Sequence, residues 1–269
     1  MCCIVRCELP AKHTFMSKKT LIFSIVLIIV ATYFGFDFLT KDLDGSTAPS
    51  IKPHTIAEMA TDDVADGWLI SSYDELMQRV GHEEGQDWLL MSAIAYHESR
   101  FREDVVSNVG AIGLMQIMPI VGRQFNVSRE AIADPETNVR LAGKLLRQIE
   151  KTLKLHPSTS QSDRISIILA CYNGGVGHVA DARRLAKSNG EDPNSWEVVA
   201  RYLKLKADPE IYQSDLVRHG RFTGSRQTIA YVREVMQRYD HYRLVVDHNE
   251  ALMAQDASRV MRNLKSLAR

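Results

Sequence analysis

The chain has 269 residues, of which 45% are hydrophobic and 25% charged, an ordinary globular balance with room for one domain of about 200 residues plus additional segments. Lys plus Arg and Asp plus Glu number 33 each, so the formal net charge is zero and no excess of basic charge points to nucleic acid; contact with it would need a local patch. Four cysteines, Cys2, Cys3, Cys7 and Cys171, leave only Cys171 in the expected folded part, which excludes an internal disulfide there, and no CxxC or His/Cys cluster suggests a metal.

In chain order, residues 1–19 form a basic leader in which Met16-Ser-Lys-Lys reads as a natural start. Residues 20–39 are almost wholly aliphatic or aromatic, just long enough for a membrane span of about 20 residues. Lys12, Lys18 and Lys19 precede the run, and Asp37, Asp42 and Asp44 interrupt or follow it. That asymmetry predicts a cytoplasmic N-terminus with the bulk of the chain outside. A cleaved signal peptide is the alternative, but no Ala-x-Ala site follows the apolar core, so an uncleaved anchor is the reading preferred. Residues 40–55 are small, polar and Pro-containing, and read as a tether.

From residue 56 onward the pattern is helical. Helices are expected from Asp74 and over Trp88–Ser99. The second is apolar nearly to its end, where Glu98 stands. Burial and the negative end of a helix dipole both raise a carboxyl pKa there, as a general acid near neutral pH requires. Asp134-Pro135-Glu136 opens a further helix, with Asp as N-cap and Pro at the first helical position, and Val139, Leu141, Ala142, Leu145, Leu146 and Ile149 supply its apolar periodicity. Arg164–Cys171 is apolar; its Ile165–Leu169 core fits a strand or a helix, and its helical neighbours favour helix. Tyr172–His178 reads as a break, followed by a helix from Val179 to Lys187, another from Thr228 to Tyr242, and a partly striped tail over 246–269. The fold expected is mostly α, with a core domain over residues 56–245.

Three motifs stand in order: Glu98-Ser99; Gly110-Ala-Ile-Gly113-Leu-Met115-Gln116-Ile-Met118-Pro119, with Ser107 just ahead; and Ala170-Cys171-Tyr172-Asn173-Gly174-Gly175. Tyr231-Val232 follows in a late helix. The order and spacing resemble the soluble-type lytic transglycosylase domain, a lysozyme-like fold acting on bacterial peptidoglycan, over roughly residues 85–245. The stretch from Gly177 to Leu185, followed by Asp192-Pro-Asn-Ser-Trp196, is similar to the catalytic domain of membrane-bound lytic transglycosylases of the F type. Those usually carry a solute-binding-like domain before the catalytic one, whereas here only about 45 residues lie between the apolar run and the start of the resemblance near residue 85.

The resemblance implies one Glu as acid and then base. Glu98 is expected to protonate the oxygen between N-acetylmuramic acid and N-acetylglucosamine, and then to take the proton from the muramoyl C6 hydroxyl, giving a 1,6-anhydro end. It also implies substrate-binding roles for Ser107, Gln116, Met118, Tyr172, Asn173 and Tyr231, with no cofactor or metal. Expected partners are glycan strands and the inner membrane through residues 20–39, with the catalytic domain in the periplasm and any envelope protein partners unknown. Hydrolytic glycosidases usually employ two carboxylates. No second acid occupies a comparable motif, and Glu103 and Asp104 lie in a polar stretch. A hydrolytic muramidase or a non-catalytic glycan-binding scaffold remain the competing readings.

Overall fold

A computed structural model describes residues 69–267. The basic leader, the apolar run and the tether lie outside the described residues. Among those residues no helix is long and apolar enough to cross a membrane.

Nine α-helices and one 3-10 turn make up the described structure: α1 Asp74–Glu84, α2 Trp88–Ser99, α3 Pro119–Gln124, the 3-10 turn Ala131–Ala133, α4 Pro135–Leu153, α5 Gln161–Gly174, α6 Val176–Ser188, α7 Trp196–Leu205, α8 Pro209–Tyr212 and α9 Ser225–Leu267. No strand is present among them, only isolated bridges pairing Val106 with Ile112 and Ile112 with Ile117. The mostly α expectation holds, and the Ile165–Leu169 segment is helical.

α2 is the central element. Every residue from Leu89 to Ala95 is buried, which explains why its sequence shows no polar face: α1 and α9 pack against it. Asp87 caps it, accepting from Leu89 N at 2.8 Å and Leu90 N at 3.3 Å. The other oxygen of Asp87 accepts from Tyr239 Oη at 2.6 Å, which ties α9 to the start of α2. Asp87→Ala removes the cap and strands the tyrosine hydroxyl, so a loss of about 2–4 kcal/mol is expected. Thermal unfolding checks this, and an unchanged midpoint would remove the cap from the account.

α4 is amphipathic, as its periodicity predicts, and Asp134 caps it through Thr137 N at 2.8 Å. Two expectations are corrected. Tyr172, Asn173 and Gly174 are not in a break: α5 continues through them, and the chain turns only at Gly175, with φ 90°. Gly174 is where α5 meets α9, because a Cβ there would lie 2.9 Å from Thr228 Oγ1 and 3.1 Å from Phe222 Cζ. Contact with the neighbouring helix, not local helix propensity, holds the last turn together. The late helix and the tail are likewise one element, since α9 runs unbroken from Ser225 to Leu267. It packs on α2, α5 and α7, and Leu252, Met253 and Val260 near its far end are exposed.

Candidate active site

Glu98 lies in the last turn of α2 and Ser99 ends the helix, with Arg100 as its left-handed cap at φ 56°. Glu98 is half-buried. Burial pushes its carboxyl up to about 7 from an ordinary 4.5, and the neighbouring Tyr231 hydroxyl, which favours the ionised form, offsets part of that rise. The Tyr231 hydroxyl is itself buried and meets no partner in hydrogen-bonding geometry. It therefore stands close enough to Glu98 to bias its charge without being saturated by it. The Tyr172 and Tyr231 hydroxyls are both held well above the usual tyrosine range by burial and then by the charge of Glu98. Glu98, Tyr172 and Tyr231 thus form one cluster drawn from three helices.

The segment between α2 and α3 is folded on itself. Ile112 and Ile117 exchange backbone hydrogen bonds at 3.0 and 2.9 Å, and Gly113 N donates to Val105 O at 2.9 Å. Ser99 Oγ donates to Leu114 O at 2.9 Å and joins this loop to the end of α2, one residue from Glu98. Gly113 is obligatory: its φ is +76°, and a Cβ would sit 2.7 Å from Asn138 Nδ2. Asn138 is fully buried in the first turns of α4. Its Oδ1 accepts from Met115 N at 2.8 Å, and its Nδ2 donates to Ile112 O at 2.8 Å and Ile132 O at 2.9 Å. This one side chain holds both sides of the loop.

The residues expected to bind substrate fall into two groups. Tyr172 Oη donates to Met115 O at 2.8 Å, and so joins α5 to the loop beside Glu98. Asn173 Oδ1 accepts from Thr228 Oγ1 at 2.8 Å, one turn before Tyr231 in α9, which leaves the Asn173 amide hydrogens to offer. Met118 is half-buried at the start of α3, with Pro119 following it, while Met115 is fully buried core. Two members are partly occupied in holding the loop. Gln116 sits at φ 47°, and its Nε2 donates to Gly113 O at 3.0 Å and Val105 O at 3.2 Å. Ser107 Oγ accepts from Ala111 N at 2.9 Å, so the hydroxyl proton is what it can still give.

Glu103 is exposed and accepts from Tyr73 Oη at 2.8 Å, and Asp104 is exposed. Neither is among the groups that shift Glu98. His97 packs its ring edge-on against Tyr231, with centroids 4.6 Å apart, and meets Glu234 at 3.2 Å. His178 is buried and stacks on Phe222 at 4.4 Å.

Sequence reasoning missed Asn138 and Thr228. Asn138 carries a usable signal, because it lies on the apolar stripe of α4 one turn ahead of Leu141 and Ala142. Thr228 carries none, since its role depends on the approach of α9 to α5.

Removing the Tyr231 hydroxyl removes the group that favours ionised Glu98. In Tyr231→Phe the Glu98 pKa is expected to rise above its native value of about 7. Because the acid form is the one that donates, the alkaline limb of any Glu98-dependent activity then moves to higher pH. A pH profile checks the sign, and a downward shift would contradict it.

Residues 75–195 match the family model of the Transglycosylase SLT domain. Among curated relatives, the chain is 33% identical over 168 residues to the membrane-bound lytic murein transglycosylase F of Alcanivorax borkumensis, covering 62% of this chain and 34% of that protein. It is 32% identical over 168 residues to the protein of the same name from Marinobacter nauticus, covering 62% and 32%. The chain thus spans about a third of the length of these relatives. Among solved structures, the 70 kDa soluble lytic transglycosylase of Escherichia coli aligns with a TM-score of 0.43 and 25% identity, over 65% of this chain and 24% of that one. The three motifs read from the sequence, Glu98 among them, all fall within residues 75–195, the stretch that matches the Transglycosylase SLT domain model.

Proposed function

We propose that this chain is a peptidoglycan lytic transglycosylase that cleaves the β-1,4 bond between N-acetylmuramic acid and N-acetylglucosamine without water, leaving 1,6-anhydro ends. The observation that carries the reading is a half-buried Glu98 raised to about 7, with the unsatisfied Tyr231 hydroxyl beside it. Protonated Glu98 gives its proton to the glycosidic oxygen as the bond to C1 breaks. The substrate's own N-acetyl group stabilises the cationic C1. Glu98, now ionised, takes the proton of the muramoyl C6 hydroxyl as that oxygen bonds to C1, which restores the acid. The nucleophile is intramolecular, so its effective concentration replaces an activated water and no second carboxylate is needed.

Ser107, Gln116, Met118, Tyr172, Asn173 and Tyr231 are proposed to line the sugar site, with hydrogen-bond donors to spare on Ser107, Asn173 and Tyr231. The apolar run 20–39, and the words "membrane-bound" in the relatives' names, support attachment to the inner membrane with the domain in the periplasm. The corresponding domain division is 1–19 leader, 20–39 anchor, 40–55 tether, 56–245 catalytic domain and 246–269 tail.

Incubation with purified peptidoglycan sacculi tests the reading. Loss of turbidity with release of soluble fragments is expected. Intact sacculi at every pH from 5 to 8 (the span, about 7, in which the acid titrates) would refute it.

A further inference from the structure

Away from Glu98 the protein buries a second, larger charge cluster. Lys206 and Asp181 are both 0% exposed, and Lys206 Nζ donates to Asp181 Oδ2 at 2.8 Å. The same ammonium lies 2.9 Å from His178 Nδ1, and burial, followed by the charge of Lys206, pulls that imidazole down to about 3, so it accepts as a neutral ring. A buried ion pair is a poor source of stability, since an apolar pair of similar volume commonly does as well. The bonds around Asp181 show what the charge achieves instead.

Asp181 Oδ1 accepts from Arg218 N at 3.1 Å and Oδ2 from His219 N at 2.9 Å, so one carboxylate holds two successive backbone amides. The His219 ring nitrogen Nδ1 lies 3.1 Å from Oδ1, and Arg184 Nη1 donates to Oδ1 at 2.7 Å and to Leu216 O at 2.6 Å. Phe222 N donates to Lys206 O at 3.1 Å. The irregular segment 216–224 is thereby fixed at both ends to α6 and α7. It leads directly into α9; Phe222 of the segment and Thr228 of α9 close on Gly174, and Thr228 Oγ1 reaches Asn173. Three residues on stands Tyr231.

We propose that Asp181 is a positioning residue for the site: from within the protein it fixes segment 216–224, and through it the approach of Thr228 and Tyr231 to Asn173 and Glu98. The inference deepens the transglycosylase reading and rests on it only for the activity readout.

The test is the paired variant Asp181→Asn with Lys206→Met. It removes the two fully buried charges together, and Arg184, 28% exposed, keeps Leu216 O as a partner, so the fold survives. An Asn side chain offers one oxygen where two backbone amides need two, and one amide is left facing a donor. The expected result is a folded protein, its melting temperature lowered by the orphaned amide, in which the Glu98 pKa, followed by carbon NMR of labelled carboxyls, moves upward as it does in Tyr231→Phe. On sacculi, kcat is expected to fall about 10–100-fold, the scale of a misplacement near 1 Å. A folded variant with native Glu98 titration and native kcat would overturn the proposal. So would a variant that loses only stability, with the titration unmoved. If the native protein leaves sacculi intact, the transglycosylase reading fails, while the carboxyl titration still decides the role of Asp181.

Discussion

Glu98→Gln is expected to abolish digestion of sacculi while making the protein more stable. The amide keeps the shape and can bind, but it has no proton to give, and loss of a general acid typically costs about 10²–10⁴-fold in rate. The stability effect has the opposite sign. In the folded state the carboxyl holds its proton to about 7 instead of 4.5. Between those values the unfolded chain has released the proton and the folded one has not, so folding stability falls as pH rises through that window. The difference corresponds to about 3 kcal/mol once pH exceeds the folded value. Glutamine carries no charge to bury and escapes the loss. The variant should match the native protein in stability below about pH 4.5 and exceed it increasingly up to about pH 7. Denaturant unfolding at pH 4 and pH 8 measures both ends, taken about as far apart as the window requires. A variant less stable than native at the higher pH would show that Glu98 serves the fold and not the site.

Asn138→Ala is the second large effect, and it arises outside the reacting groups. The substitution leaves Met115 N and Ile132 O without the partner they have in the native protein, and takes one of two donors from Ile112 O, which keeps Ile117 N. Each orphaned buried group costs about 1–3 kcal/mol. A total near 4 kcal/mol allows for partial relaxation, and in a domain of this size lowers the melting temperature by about 8–16 °C. Activity should fall with it, even well below the melting temperature. The loop that Asn138 holds carries Gln116 and Met118, and it presents Met115 O to Tyr172. Asn138→Asp keeps the acceptor for Met115 N but sets a carboxylate against two carbonyl oxygens, so it should be no better. Calorimetry with turnover at 20 °C (about 25–45 °C below a typical melting point) separates the two losses. A native melting temperature would mean that the loop stands without Asn138.

Much of the site was legible because its signals are local. An apolar run of helical length ending in Glu98, and a Gly-rich loop closed by Pro119, state their positions within a few residues, and Asp134-Pro135 marks the start of α4. What could not be read depends on distant partners. Tyr172-Asn173-Gly174 carries the residues of a turn, yet it is helical because Thr228 and Phe222 pack against Gly174. Lys206 looks like any surface lysine in Leu203-Lys-Leu-Lys206, and only Asp181, brought to it by the packing of α6 on α7, makes its burial tolerable. The late helix, expected over Thr228–Tyr242, runs on into the tail over 246–269. With neither Gly nor Pro there, nothing local ends the helix, and α9 continues.

The measurement that bears most directly on the whole account is the mass of the fragments released from sacculi. A single carboxylate acting first as acid and then as base, with the muramoyl C6 hydroxyl as nucleophile, yields muropeptides lighter by one water than those of hydrolysis and lacking a reducing end. Fragments with 1,6-anhydro ends, absent when Glu98→Gln is used, are the predicted result; reducing-end fragments of full mass would contradict it.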